Sequence, residues 1–171
     1  VIKAISGDDG HELFATSPSE LVATLSELEI GYIDADVFPE IVAAHQSGAN
    51  LIAFEHDGSL KWISETDTLP GRSDSGGAIS LANLDGQGLT EIIVGASVYD
   101  ATGLFLGDGR DLGGTRGFSL FTAISVVADI NLDGIPEIIA GPTAYRYQNG
   151  NLSMVWSRPE LGDGFVGVGN F

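Results

Sequence analysis

The feature that most constrains this chain is an acidic loop of nine residues that leads directly into an apolar segment. In the most regular copy, residues 129–137 read DINLDGIPE and the next four residues read IIAG. Oxygen-bearing side chains occupy loop positions 1, 3, 5 and 9, and glycine occupies position 6. Side chains at odd positions of a tight loop can converge on one point, where the carbonyl of position 7 joins them. The pattern predicts a site for a hard cation, Ca²⁺, with the ligands Asp129, Asn131, Asp133, the Ile135 carbonyl and Glu137.

Two further copies of this loop precede the regular one. Residues 83–91 read NLDGQGLTE before IIVG, and their predicted ligands are Asn83, Asp85, Gln87, the Leu89 carbonyl and Glu91. Residues 32–40 read YIDADVFPE before IVAA, and their predicted ligands are Asp34, Asp36, the Phe38 carbonyl and Glu40. In this first loop Tyr32 replaces an oxygen ligand and Val37 stands at the glycine position, which disfavours a turn that needs positive φ. The second loop has only two carboxylates and the first loop departs from the pattern at Tyr32 and Val37, so calcium affinity is predicted in the order third, second, first loop.

The spacing of the loops indicates a repeat of propeller size. The closing glutamates Glu40, Glu91 and Glu137 are 91 − 40 = 51 and 137 − 91 = 46 residues apart. Periods of about 40–50 residues with several short strands are typical of the blades of β-propellers. The apolar segments 41–44, 92–95 and 138–141 have no polar alternation, so we expect strands buried on both faces.

The segment 124–142, ISVVADINLDGIPEIIAGP, resembles the FG-GAP/VCBS-type calcium-binding repeat found in the propellers of integrin α-subunits and in bacterial surface proteins. The resemblance extends over nearly the whole chain. It implies integrin-α-like β-propeller blades with Ca²⁺ in a loop between two strands. It does not imply a single function, because one fold can carry many.

An all-β segment of about three complete four-stranded blades, with partial blades at both ends, is therefore predicted for residues 1–171. The expected boundaries are a half blade at 1–16, complete blades at 21–64, 76–109 and 119–158, and the start of a further blade at 165–171. Residues 21–28 are expected to form the outer strand of the first complete blade. Since propellers usually contain 4–8 blades, the open faces predict a partner: further blades of the same chain, or another copy.

Composition excludes several classes of partner and site. The chain has 7 basic and 24 acidic residues and a net charge of −17, which argues against binding to nucleic acid or anionic membranes. There is no cysteine, so disulfides and thiolate metal sites are excluded. No segment has the length of a transmembrane helix, so membrane insertion is not expected.

The preferred functional hypothesis is a non-enzymatic, calcium-stabilised segment of a secreted or cell-surface protein, acting as a scaffold or as an adhesive module for a protein or glycan ligand. Repeated calcium sites favour an extracellular location, where calcium is abundant. Two alternatives remain open: a fragment of a propeller enzyme acting on polysaccharide, and a self-assembling surface or filament subunit. No catalytic residue and no organic cofactor is predicted.

Overall fold

The computed structural model describes residues 1–48, 50–65, 76–117 and 123–169, and these are almost entirely strands and turns. The last two residues of the further blade predicted at 165–171 lie outside the described residues, as do residues 66–75 and 118–122. Two 3₁₀ turns occur, at Gly109–Leu112 and Pro159–Leu161. In chain order the strands are β1 (Lys3–Ile5), β2 (Glu12–Ala15), β3 (Leu25–Ser26), β4 (Glu29–Gly31), β5 (Glu40–Ala44), β6 (Leu51–Phe54), β7 (Leu60–Ile63), β8 (Gly76–Gly77), β9 (Ile79–Ala82), β10 (Glu91–Val94), β11 (Ser97–Tyr99), β12 (Phe105–Asp108), β13 (Val126–Ala128), β14 (Glu137–Ala140), β15 (Thr143–Gln148) and β16 (Asn151–Ser157).

Three four-stranded antiparallel sheets follow one another along the chain, and in each the spatial order of the strands is their order in sequence. Strands β4–β7 form the first sheet, β9–β12 the second and β13–β16 the third. The all-β prediction is confirmed, and each sheet lies within one of the ranges 21–64, 76–109 and 119–158. The described residues form no closed ring of sheets, so the interpretation of the sheets as propeller blades stays a prediction.

The strand that follows each acidic loop is buried along its whole length, as predicted for segments without polar alternation. Every residue of β5, β10 and β14 is buried. The fourth strands β7 and β16 are instead partly exposed. The loops therefore lie at the entrance to the most buried part of each sheet.

Successive residues of these buried strands pack against different neighbours. Ile41 and Ala43 contact the hydrophobic cluster that contains Ile2 of the N-terminal region, whereas Val42 packs with Ile92 of the second sheet. Ile93, next to Ile92, packs with third-sheet residues such as Ile138 and Tyr145. Since successive side chains of a strand point to opposite faces, the sheets must stack face to face in chain order.

The prediction for residues 21–28 is wrong. Val22 forms only an isolated bridge with His45, and β3 pairs in parallel with β8. The outer strand of the first sheet is β4, which pairs with β5. The serine of β3 explains the difference, because the Ser26 hydroxyl accepts a hydrogen bond from the Ala44 N–H at 2.8 Å and ties this segment to the end of β5.

Candidate cation-binding loops

The closing glutamate of each loop is the first residue of a buried strand, and its side chain is itself buried. In all three repeats one carboxylate oxygen accepts a hydrogen bond from the backbone N–H of loop position 2. The bonds are Ile33 N–H to Glu40 at 2.8 Å, Leu84 N–H to Glu91 at 2.7 Å and Ile130 N–H to Glu137 at 3.1 Å. A buried carboxylate is costly unless its charge and lone pairs are satisfied. The second oxygen of each glutamate therefore needs a positive partner.

The third loop has the backbone expected for a cation loop. Leu132 at position 4 has φ 61° and Gly134 at position 6 has φ 86°. Asp129 accepts hydrogen bonds from the N–H groups of Asp133 at 3.1 Å and of Gly134 at 2.7 Å. The Asn131 side-chain oxygen accepts a hydrogen bond from the Asp133 N–H at 2.9 Å, which holds the Asn131 side chain against the turn. The loop curls around its own side-chain oxygens, as the ligand pattern predicts.

An arginine from the neighbouring strand already supplies positive charge to the third loop. Arg146 on β15 donates to Glu137 from Nε at 2.9 Å and again from Nη2, and it donates to Asp133 from Nη2 at 2.8 Å. A hydrogen bond from the Ile135 N–H, and then Arg146, lower the pKa of Asp133 below its usual value. Two of the predicted calcium ligands, Glu137 and Asp133, are thus paired with a guanidinium.

The second loop shares the backbone of the third but has no such ion pair among the described contacts. Gly86 and Gly88, at positions 4 and 6, have φ 72° and 66°. Burial raises the pKa of Glu91, and the charges of Asp85 and Asp100 raise it further, against the hydrogen bond from Leu84. A bound cation would remove this repulsion, so the residues fit a divalent ion.

The first loop folds differently. Neither Ala35 nor Val37, at positions 4 and 6, has positive φ. The Asp36 N–H donates to Asp34 at 2.8 Å, and the Phe38 N–H donates to Asp36 at 2.7 Å. Val37 is therefore accommodated by a turn of a different shape, which still keeps both aspartates at the mouth of the loop.

The first loop nevertheless brings its carboxylates closest together. Ligand atoms of Asp34, Asp36, Glu40 and Glu55 lie within 4.8 Å of one another, and in the described part of the chain no other group of three or more acidic residues or histidines meets that spacing. Glu55 was missed by the sequence analysis because it lies outside the loop. Strand register could have identified it. Phe54 pairs with Ile41 across the antiparallel strands, so the next residue, Glu55, lies beside Glu40.

The fit of a divalent cation thus differs between the loops. Carboxylate oxygens are the ligands that Ca²⁺ prefers, and the first loop offers four carboxylates in one group. The structure places Asp129, Asn131, Asp133 and Glu137 around one turn but pairs two of them with Arg146. In the second loop it ties Asp85 to the Gln87 N–H at 2.9 Å and Glu91 to Leu84. Direct ligation by the Ile135, Leu89 and Phe38 carbonyls stays a prediction.

Fold and loops together define an all-β protein of stacked four-stranded sheets with an acidic loop before the second strand of each sheet. No protein-family model and no curated protein matches the chain, so the FG-GAP/VCBS resemblance rests on the loop motifs alone. In the described residues no helix is long and apolar enough to cross a membrane.

Among solved structures, the chain is similar to the Vibrio cholerae biofilm matrix protein Bap1. The two are 27% identical and superpose with a TM-score of 0.68 over 91% of this chain. The match covers 23% of Bap1, so this chain spans about a quarter of its relative's length.

Proposed function

We propose that this chain is a calcium-stabilised, non-enzymatic segment of an extracellular or cell-surface β-propeller protein, and that it acts as a scaffold or adhesive module. The observation that carries the proposal is the repeated buried glutamate, which joins each acidic loop to a strand of the sheet stack. A cation bound by such a glutamate would stabilise the fold directly, because the same carboxylate holds the loop backbone.

The similarity to Bap1 supports the adhesive and extracellular parts of the proposal, since Bap1 is described as a biofilm matrix protein. The proposed partners are further sheets of the same protein or a second copy, stacked against the outer sheets as the described sheets stack on each other. A glycan or protein ligand on the exposed rim is proposed as the adhesive target.

Thermal unfolding with and without calcium tests the proposal. An ion that binds only the folded state adds RT ln(1 + [Ca²⁺]/Kd), about 2.7 kcal/mol per site at a hundredfold excess over Kd. We expect the melting temperature in millimolar Ca²⁺ to exceed that in chelator, and a smaller increase with Mg²⁺, whose octahedral shell accommodates fewer protein ligands. Equal melting temperatures in calcium and chelator would refute calcium stabilisation.

Adhesion is tested separately with beads coated with the chain and presented to a glycan array and to immobilised acidic polysaccharide. Retention above that of albumin-coated beads, lost in chelator, is the expected result. Light scattering of the purified chain then distinguishes a monomer from the self-assembling alternative. Cleavage of the polysaccharide during the assay would favour the enzymatic alternative.

A further inference from the structure

The first loop contains a buried charge that the described residues leave unsatisfied. Glu40 is fully buried, and its Oε2 accepts the N–H of Ile33. Its other oxygen, Oε1, is also buried and takes no hydrogen bond from the described residues. Buried polar atoms normally have a partner, and an unsatisfied one calls for an explanation such as an ion. Glu40 belongs to the group of four carboxylates, so the missing partner would be a cation.

A lysine occupies part of this group. Lys61 on β7 donates from Nζ to Asp34 at 2.5 Å and to Glu55 at 2.8 Å, and its side chain is mostly buried at 17% exposure. It bonds to neither Glu40 nor Asp36 in these contacts. The Lys61 ammonium thus pairs with two of the four carboxylates, and Glu40, the most buried of the four, is not one of them.

We infer that Lys61 and a divalent cation are alternative occupants of the first loop, and that Glu55 becomes a ligand of the ion when Lys61 leaves. This inference rests on the proposed calcium stabilisation and specifies how it operates at one loop. A divalent, oxygen-preferring ion such as Ca²⁺ contacts Asp34, Asp36, Glu40 and Glu55 simultaneously, which a lysine ammonium in its present position does not. The ion also supplies the missing partner of Glu40.

Competition with Lys61 has a consequence for affinity. A ligand that binds only the lysine-free state has an apparent affinity reduced by the fraction of molecules in that state. The first loop therefore fills at higher calcium concentration than its four carboxylates alone would require. When the ion binds, the Lys61 ammonium loses its contacts with Asp34 and Glu55 and becomes accessible to reagents.

The lysine content of the chain permits a direct test. Lys3 and Lys61 are the only lysines in the sequence. Lys3 is 61% exposed and pairs with Glu12, which belongs to none of the acidic loops, so it serves as an internal control. The full chain is labelled briefly with an amine-reactive reagent across a calcium titration, and each lysine is quantified by peptide mass spectrometry. We expect Lys61 labelling to rise about fivefold or more with calcium, while Lys3 labelling stays constant.

Two variants locate the effect. Lys61→Met keeps much of the side-chain length and removes the competing charge. Its calcium titration, followed by the NMR signals of the Asp36 and Phe38 amides, is expected to shift to about fivefold lower concentration. Glu55→Gln replaces a negatively charged ligand with a neutral amide and shifts the same titration to higher concentration. Glu160→Gln, at an exposed carboxylate in the Pro159–Leu161 turn, is the matched control and leaves the titration unchanged.

The outcomes separate this inference from the proposed function. Unchanged Lys61 labelling, with a melting temperature that still rises in calcium, overturns the displacement and leaves calcium stabilisation through the other loops. If neither labelling nor melting responds, both fail. A Lys61→Met variant that binds calcium no more tightly, or a Glu55→Gln variant with unchanged affinity, also overturns the inference.

Discussion

The first and third loops share one ligand spacing but meet the charge of their buried glutamate in different ways. In the third loop, Arg146 lies on the strand adjacent to β14 and pairs directly with Glu137. In the first loop, Lys61 comes from the last strand of the sheet and pairs with Asp34 and Glu55, while one oxygen of Glu40 stays unpaired. In one copy of the motif the buried glutamate therefore pairs with a cationic side chain of the protein, and in another it retains a free oxygen that can bind a metal ion.

The difference arises from one register position. By register, the residue opposite the closing glutamate is Glu55 in the first sheet, Asp100 in the second and Arg146 in the third. Acidic residues there add to the negative charge of the loop, whereas arginine offsets it. The predicted affinity order of third, second and first loop stays a prediction, and Arg146 argues against placing the third loop first.

The largest expected effect is a difference in stability between substitutions of Glu137 and Glu40, measured in chelator. Glu137→Gln removes the charge that pairs with Arg146, and we expect a loss of about 2 kcal/mol in the free energy of unfolding, because one partner of a buried ion pair is left behind. Glu40→Gln keeps the acceptor for the Ile33 N–H and removes an unpaired charge, so its change should stay within about 0.5 kcal/mol. Urea unfolding measures both values. Equal losses would show that the loops are electrostatically alike.

A second contrast concerns the calcium affinity of each loop after its cationic side chain, Arg146 or Lys61, is removed. Arg146→Met frees both Glu137 and Asp133, so we expect its loop to bind calcium on the order of tenfold more tightly than in the native chain. This gain should exceed that of Lys61→Met, because Lys61 contacts only one of the ligands predicted within its loop. NMR titration of the Gly134 amide measures the effect. A larger gain for Lys61→Met would reverse the comparison.

The loop backbones give a smaller effect. A Cβ at Gly134 would meet no atom within 4 Å, so Gly134→Ala tests only the cost of positive φ, about 1 kcal/mol. Val37→Ala at the same position of the first loop requires no positive φ and should change the free energy of unfolding by less. Chemical denaturation in chelator compares the two variants. A similar loss at both positions would mean that the first loop also needs the left-handed conformation.

The smallest effect is a pH dependence at an ion pair outside the loops. Burial alone would raise the pKa of Asp108, but hydrogen bonds from Arg110 and Ser97 outweigh it and lower the pKa below the usual value. Stability from this group is therefore present above pH of about 4 and is lost as pH falls through the lower, folded-state pKa. In chelator, Asp108→Asn should flatten the fall in stability below pH of about 4. If stability fell with pH equally steeply in Asp108→Asn and in the native chain, the loss of stability in acid would arise from the loops.

Much of the fold could be predicted because it is local. Apolar runs such as 92–94 indicate strands, and turn glycines such as Gly134 indicate turns, from the few residues around them. The three sheets accordingly lie within the predicted ranges. The segment 21–28 was mispredicted because its pairing depends on contacts with Ala44 and with β8, which are distant in sequence. The loop ligands were predicted as candidates, but Glu55, Lys61 and Arg146 were not, because they are brought to the loops by strand pairing.

The sequence by itself determined the repeat, the all-β class and the oxygen ligands at alternate loop positions, since spacing and side-chain chemistry are properties of the chain. Only the tertiary structure decided which charged side chains from other strands lie beside each loop. Strand register places Arg146 against Glu137, and the packing of β7 places Lys61 between Asp34 and Glu55. Charges interact through space and not along the chain, so loops of one motif acquire different electrostatic environments.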